Sequence, residues 1–374
     1  MNNVIRCKRC VMDNVAEPKI TFDSNGFCNF CNSAILRREK MYFPNEEGKN
    51  KLEAIISEIK EEGKEKKYDC VMGVSGGLDS SYLLYMGYKY GLRVLAIHID
   101  DGFDTEISKN NIRKLIEKTG FDMVTVVPDE KQFADLTKAY MNAGVANLAA
   151  PQDNILFACL YKEVKKYKIG YFLSGLNYAL ENISPVNQTH NAYDTTNIFD
   201  INKKNGNADI SKLEFISTVD QAMITRKYGI KRPRLLDLID YNREQAFREL
   251  AEFCGFQYYG RKHLENILTA FVQLYWFPKK FNMDKRVYHL SSMVVSGQMT
   301  REEAMKELEE PIYDEKLMNQ YIKVVKEKIG ITDKEFDEIM RAASHSHDEY
   351  KTESQNPKYI SYMAMRKVIS RLKK

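Results

Sequence analysis

Charged and apolar residues alternate with a helical period from Lys49 to Lys67, setting Leu52, Ile55, Ile56 and Ile59 on one face, so a helix is expected there despite Gly63. After it, short apolar runs trade places with amphipathic stretches. The runs DCVMGVS (69–75), RVLAIHID (93–100) and DMVTVVP (122–128) read as strands, with helices expected from Asp79 and near 106–119 between them. Strand then helix, repeated, defines a parallel sheet covered by helices. Further helices are expected around 131–143 and 153–167, a fourth strand at YFLSG (171–175) and a candidate fifth at RPRLLDLID (232–240). Between 181 and 230, Asn182, Pro185, Asn187, Gly206 and Asn207 break the pattern, and a long functional loop or lid is expected. Past residue 261 the period is helical, at 301–309, 314–328, 332–343 and 359–372. The first 45 residues show neither period and cannot build an apolar core of their own.

A length of 374 residues predicts two or three domains. With 44% hydrophobic and 29% charged residues the chain has a globular composition, which excludes a disordered or fibrous polymer. Lysine and arginine number 56 against 52 acidic residues, and a net charge of +4 is too small to make nucleic acid the expected partner. No stretch reaches the roughly 18–20 apolar residues of a membrane span, and MNNVIRCKRC lacks the apolar core of a signal peptide. A cytoplasmic protein without a membrane partner is expected. The tail RKVISRLKK reads as a solvated basic helix end or as a contact for an anionic partner.

Four of the seven cysteines fall in two CxxC pairs, Cys7 with Cys10 and Cys28 with Cys31. Four thiolates at this spacing suit a tetrahedral Zn²⁺ ion, and a closed set of four ligands makes the site structural. An iron–sulfur cluster or four unligated thiols are the other readings. Cys70, Cys159 and Cys254 are isolated and expected to be buried structural thiols. His345 and His347, in SHSHD, read as a solvated polar loop.

The sharpest chemical signal is SGGLDSS, from Ser75 to Ser81, between an expected strand and an expected helix. Gly76 and Gly77 let the backbone approach a ligand, and the helix start turns free N–H groups and a positive dipole end toward it. Ser75, Ser80 and Ser81 can donate to phosphate oxygens. Asp79 would repel them unless it binds a cation, for which Mg²⁺ is suited, or caps the helix. The plain alternative is an ordinary strand–turn–helix junction. Neither a Walker loop nor G-x-G-x-x-G is present here.

The loop resembles the SGGxDS pyrophosphate loop of the adenine nucleotide alpha-hydrolase superfamily, the N-type ATP pyrophosphatases, and matches it at every fixed position. The resemblance implies a Rossmann-like, HUP-type doubly wound α/β sheet and ATP cleaved between its α and β phosphates. It implies that Ile97, His98 and Ile99 lie against adenine, with Asp100 near the reacting centre; His98 reads equally as a satisfied, half-buried strand histidine. The whole chain is similar to the N-acetyl sugar amidotransferases of bacterial surface-polysaccharide (lipopolysaccharide) synthesis. The likeness lies in Arg6–Asp13, Gly26–Cys31, Ser75–Ser81, LSGLN (173–177), YYGRKHLEN (258–266) and LYWFPKKFNMDKR followed by SGQMTREEA.

That family turns a sugar's acetamido group into an acetamidino group through an adenylated oxygen. By themselves Lys262, His263 and Glu265 read equally as a substrate site or as a helix start; the resemblance implies catalytic roles for Ser75, Asp79, Lys262 and His263, the last two near the sugar or ammonia with Glu265, and places Gly175 and Asn177 near the nucleotide. It implies a zinc module over 1–48, an ATP pyrophosphatase domain over 49–260 and a helical substrate or partner region over 261–374. The expected partners are an N-acetylated sugar, either nucleotide-linked or a nonulosonic acid, and a separate glutaminase pair resembling imidazole glycerol phosphate synthase. Residue 2 is asparagine, so an N-terminal cysteine nucleophile is not expected. A tRNA-thiolation enzyme, which would want cysteines at the ATP site, is the alternative, and a zinc-stabilised ATP-dependent sensor a more distant one.

Overall fold

The computed structural model describes residues 4–185, 189–207, 209–260 and 264–372. The first helix, α1 (Asn29–Met41), starts where the Cys28 sulfur accepts from the amide of Cys31. Next, α2 (Glu46–Gly63) is capped by Asn45 and buries Leu52, Ile56 and Ile59. Then come β1 (Cys70–Gly73), α3 (Leu78–Lys89), β2 (Val94–Ile99), α4 (Glu106–Thr119), β3 (Asp122–Val126), α5 (Glu130–Asn142), α6 (Ala150–Tyr167) and β4 (Phe172–Leu173). All pairings are parallel in the order β3-β2-β1-β4, with Met72 opposite Ala96 and Leu173.

Alternation along the strands decides which helices cover which face. Cys70, Met72, Val74, Val94 and Ala96 pack with Ile56, Leu83 and Leu115 of α2, α3 and α4. Val71, Leu95, Ile97 and Phe172 point the other way, onto Leu160 and Val164 of α6. Helices therefore cover both faces, and the expected doubly wound α/β architecture is present, with four parallel strands, an N-terminal four-cysteine cluster and a helical C-terminal region.

The rest is helical: α7 (Tyr178–Glu181), α8 (Thr195–Asn205), α9 (Thr218–Tyr228), α10 (Arg243–Cys254), α11 (Ile267–Phe271), α12 (Phe277–Phe281), α13 (Arg286–Ser296), α14 (Arg301–Glu309), α15 (Glu315–Ile329), α16 (Asp333–Arg341) and α17 (Pro357–Leu372). Among the described residues no helix is long and apolar enough to cross a membrane.

Four expectations need correction. The candidate fifth strand at 232–240 contains instead a buried 3₁₀ turn, Leu235–Leu238. Pro233 lacks an amide, and Asp237 uses its carboxylate on the Tyr178 amide and its carbonyl on Phe43 rather than on a ladder. The expected long loop at 181–230 contains α8 and α9, started by the side-chain caps of Asp194 and Ser217. The first 45 residues hold α1, and their buried groups join a cluster with Leu268, Trp276 and Tyr288 instead of forming a core alone.

The SHSHD segment is not fully solvated: His347 is buried, and its ring stacks on His190 at 4.5 Å between centroids. Its Nδ1 pairs with Asn197 Oδ1 at 2.8 Å, while His190 Nε2 meets Asp194 Oδ2 at 2.9 Å. Burial, and then the neighbouring His190, lower the pKa of His347 from 6.5 to about 3. A histidine held neutral contributes stability that is complete above its unfolded pKa and is lost as pH falls from about 6.5 toward 3. The loss should reach on the order of 2 kcal/mol by pH 5. Melting curves at pH 7.5 and pH 5 should therefore show a smaller acid loss in His347→Gln than in the wild type; equal losses would remove His347 as the titrating group.

Candidate functional site

Beyond β1 the amide of Val74 still bonds the carbonyl of Ile97 at 2.8 Å, which keeps the chain beside β2 until the loop turns away. Gly76 makes the turn at φ +74°, and a Cβ there would lie 2.5 Å from Ser108 Oγ. Ser108, in the first turn of α4, donates to the carbonyl of Ser75 at 3.0 Å and braces the loop from behind. A Cβ on Gly77 would lie 2.7 Å from Glu265 Oε1, and one on Gly175 would press within 3.1 Å of the Ser80 amide nitrogen. At Gly76, with its positive φ and the Ser108 carbonyl 2.8 Å from a Cβ, only glycine fits; a side chain at Gly77 would make Glu265 turn aside, and one at Gly175 would press the Asp79–Ser80 backbone.

The hydroxyls of Ser75 and Ser80 lie 3.2 Å apart, and the amide of Gly77 donates to Ser75 Oγ at 3.3 Å. Gly77 supplies no side-chain cap to α3; instead the Tyr259 hydroxyl accepts from the Leu78 amide at 2.9 Å. Tyr241 donates to Asp79 Oδ1 at 2.5 Å. Burial, followed by the Asp79 charge for Tyr241 and the Glu265 charge for Tyr259, holds both phenols well above their ordinary pKa, so they remain neutral. The result is a cleft of about 200 Å³ over the loop, walled by Ser75, Gly77, Asp79, Ser80, Gly175 and Glu265.

Five of the expected residues thus share the cleft wall: Ser75, Gly77, Asp79, Ser80 and Gly175. Gly76 stands behind it. Ser81 is fully buried and lies outside the lining, a departure from its expected phosphate contact. Asn177 is also fully buried; it caps α7 through the Leu180 amide at 2.8 Å and donates to the Gly175 carbonyl at 3.1 Å, so it shapes the turn. Ile97 and Ile99 are buried in the packing on either side of the sheet's end. Asp100 accepts from the Gly102 amide at 3.1 Å. Lys262 and His263 lie outside the described residues.

His98 takes the second of its two readings. Its Nδ1 meets the Val74 carbonyl at 2.8 Å and its Nε2 lies 2.9 Å from Asp104 Oδ2, so both nitrogens face protein oxygens and neither is left for a nucleotide. Burial opposes a charge on the ring, but the bond to Asp104, its charge and the Val74 carbonyl outweigh it, and the pKa is raised. Next to this pair, burial pushes Asp101 up to about 6 while Asn266 donates to it at 3.2 Å and Gln152 also bonds it.

The loop cleft opens into a chamber of about 1050 Å³ between α10 and α13. Leu176, Leu180, Glu181, Arg243 and Tyr258 border both spaces. Tyr241, Arg243 and Tyr259 were not expected in the site. Tyr259 falls inside YYGRKHLEN, so the segment was visible; Tyr241 and Arg243 follow the misread strand and carry no sequence signal.

At the other centre the sulfurs of Cys7, Cys10, Cys28 and Cys31 are fully buried and lie within 4.8 Å of one another. Cys7 and Cys31 are 3.7 Å apart and Cys10 and Cys28 3.6 Å. A tetrahedron with zinc–sulfur bonds of about 2.3 Å has edges of about 3.8 Å, so the four sulfurs fit one zinc ion, whereas several irons would hold them farther apart. Arg301 of α14 donates to the carbonyls of Cys10 at 3.2 Å and Cys7 at 3.1 Å, tying the centre to the helical region.

The structure is that of an α/β protein with a glycine-lined cleft at the end of its first strand and a separate four-cysteine centre. Residues 265–367 match the family described as LPS biosynthesis protein WbpG-like, C-terminal domain. The chain is 22% identical over 318 residues to an uncharacterized protein of Methanocaldococcus jannaschii, spanning 83% of this chain and 97% of that one. Among solved structures it is similar to the NH3-dependent NAD synthetase of Campylobacter jejuni, with TM-score 0.30 and 14% identity over 55% of this chain and 93% of that one. It is also similar to the NMN synthetase of Francisella tularensis, with TM-score 0.29 and 14% identity over 64% and 96%.

Proposed function

We propose that the protein is an ATP-dependent amidotransferase that adenylates the acetamido oxygen of an N-acetylated sugar and replaces it with ammonia, in bacterial surface-polysaccharide synthesis. The observation that carries this reading is the cradle at Ser75–Ser80, where a turn that requires glycine at position 76 brings amides, two hydroxyls and a helix start together. The sugar half is supported by the WbpG-like match of residues 265–367, which include chamber-lining Gln273, Lys285 and Lys306.

An amide oxygen leaves poorly, so it must first be esterified. In this reading it attacks the α phosphorus, the bond to the β-phosphate oxygen breaks, and pyrophosphate departs with that electron pair onto the loop. Ser75 and Ser80 donate to its oxygens, electrostatic stabilisation of the kind worth about 10²–10³ in rate per donor. Asp79 and Ser80 would hold Mg²⁺, which supplies charge neutralisation to the phosphates. Ammonia then adds to the imidoyl carbon, AMP leaves with the former amide oxygen, and the added nitrogen gives up protons to solvent. Lys262 and His263 fall in sequence between two cleft-lining residues, Tyr259 and Glu265, where a base for those protons is needed. Ammonia would come from a separate glutaminase pair, so the purified chain should use ammonium but not glutamine.

An acetamido sugar labelled with ¹⁸O in the amide oxygen should deliver the label to AMP and none to pyrophosphate. Release of ADP and orthophosphate, or unlabelled AMP, would overturn the reading. The tRNA-thiolation alternative needs a reactive sulfur, but Cys159 is buried on α6, its thiol pushed up to about 11 by burial, and no described residue lining the cleft is a cysteine. Cys159→Ser should retain full AMP formation.

A further inference from the structure

The loop cleft and the chamber meet at a neck, and Arg243 borders both. Among the described residues it is the sole cation lining the loop cleft, alongside the carboxylates of Asp79, Glu181 and Glu265. It makes no hydrogen bond or ion pair with any described residue through its side chain. Its position is also one the backbone disfavours: Arg243 opens α10, where the positive end of the helix dipole repels a cation. The Asn242 side chain satisfies the first amides of that helix, at 3.0 Å to Glu244 and 3.1 Å to Gln245, so the arginine serves no capping purpose. A half-buried guanidinium without a partner among the described residues, held against its own helix dipole at the junction of two cavities, calls for an anion supplied from outside.

The two cavities say which anion. The smaller one is built for phosphates and is too small for ATP and a sugar together; the larger has a carbohydrate-like lining, with the paired rings of Phe247 and Tyr258 (5.7 Å between centroids) beside the amides of Asn242, Gln273 and Gln298. We propose that the chamber takes the acceptor sugar and that adenylyl transfer occurs at the neck, with Arg243 a catalytic residue bearing the charge of the α-phosphoryl group in transit. This rests on the reading of Ser75–Ser80 as the ATP loop. The bond formed joins the acetamido oxygen to the α phosphorus, and the bond broken is that to the pyrophosphate oxygen. The planar guanidinium can follow the α-phosphoryl oxygens through the exchange with two donors.

The test uses the full chain with ATP, Mg²⁺, ammonium chloride and a panel comprising N-acetylglucosamine, UDP-N-acetylglucosamine and N-acetylneuraminate. Arg243→Ala should lower kcat for AMP formation by about 10²–10³ while KM for ATP and for the acceptor change less than threefold. Added guanidinium ion should restore part of the rate to Arg243→Ala, and Arg243→Lys should keep a fraction of it. With no partner among the described residues, neither substitution should lower the melting temperature. If the wild type forms AMP but the variants lose only acceptor affinity, or lose nothing, the role assigned to Arg243 is wrong while the ATP reading stands. If the wild type forms no AMP with any acceptor in the panel, both fall.

Discussion

Cys28→Ser should empty the four-cysteine centre and lower the melting temperature by on the order of 10 °C, with zinc content, measured by elemental analysis, falling from about one ion per chain to near none. The serine preserves one of the two functions of this residue. Cys28 is also the N-cap of α1, accepting from the Cys31 amide at 3.3 Å, and serine is among the best residues at that position. The helix start therefore survives and the loss isolates the metal. Structural zinc contributes roughly 10–16 kcal/mol of apparent binding energy in small zinc modules, and removing one ligand of four forfeits a large part of it. The damage should spread along particular contacts. Val11 bonds Ser291 at 3.2 Å, the Ala16 carbonyl accepts from Tyr288 at 2.8 Å, and Arg301 holds the Cys7 and Cys10 carbonyls. Each reaches α13 or α14, so hydrogen exchange should rise in both helices as well as in the first 45 residues. Unchanged metal content and melting temperature would refute a structural zinc site.

The sheet was legible because β1 and β2 are buried on both faces and read as unbroken apolar runs, and because a glycine pair can hardly be mistaken next to them. The same logic failed at 232–240, where Leu235, Leu236 and Leu238 are as buried as any strand but serve a 3₁₀ turn; apolar content reports burial and leaves the backbone state open. α1 escaped notice because its start depends on a cysteine cap and its burial on a partner helix far along the chain. His98 could not be resolved from sequence, since its role depends on Asp104 and the Val74 carbonyl, which only the fold brings to its two nitrogens. Tyr241 lies 162 residues from the Asp79 it holds, and nothing in either segment announces the pairing. Contacts of that length are a product of topology, and Arg243 became visible only with them.

Asp79→Asn should reduce AMP formation by at least about 10³-fold, a loss of roughly 4 kcal/mol in transition-state stabilisation, with fold and zinc content intact. Asparagine keeps the volume and can still accept from the Tyr241 hydroxyl, which burial holds in its protonated form, so the change removes charge and leaves the anchor. Its structural price is small: an acidic residue in the first turn of α3 is worth about 0.3–1 kcal/mol against the helix dipole. The functional effect is much larger because, if the cleft takes the phosphates as proposed, a carboxylate on its wall opposes binding unless a cation bridges the two. On the proposed reading of Ser75–Ser80 as the nucleotide loop, an aspartate there serves to bind the metal complex of ATP. Asp79→Ala should give the same rate loss, whereas Tyr241→Phe, which keeps the charge and removes one of the carboxylate's anchors, should cost about tenfold through misplacement alone. Near-normal AMP rates in Asp79→Asn, with ATP affinity unchanged in magnesium, would show that the nucleotide binds elsewhere and that the cradle at Ser75–Ser80 serves another ligand.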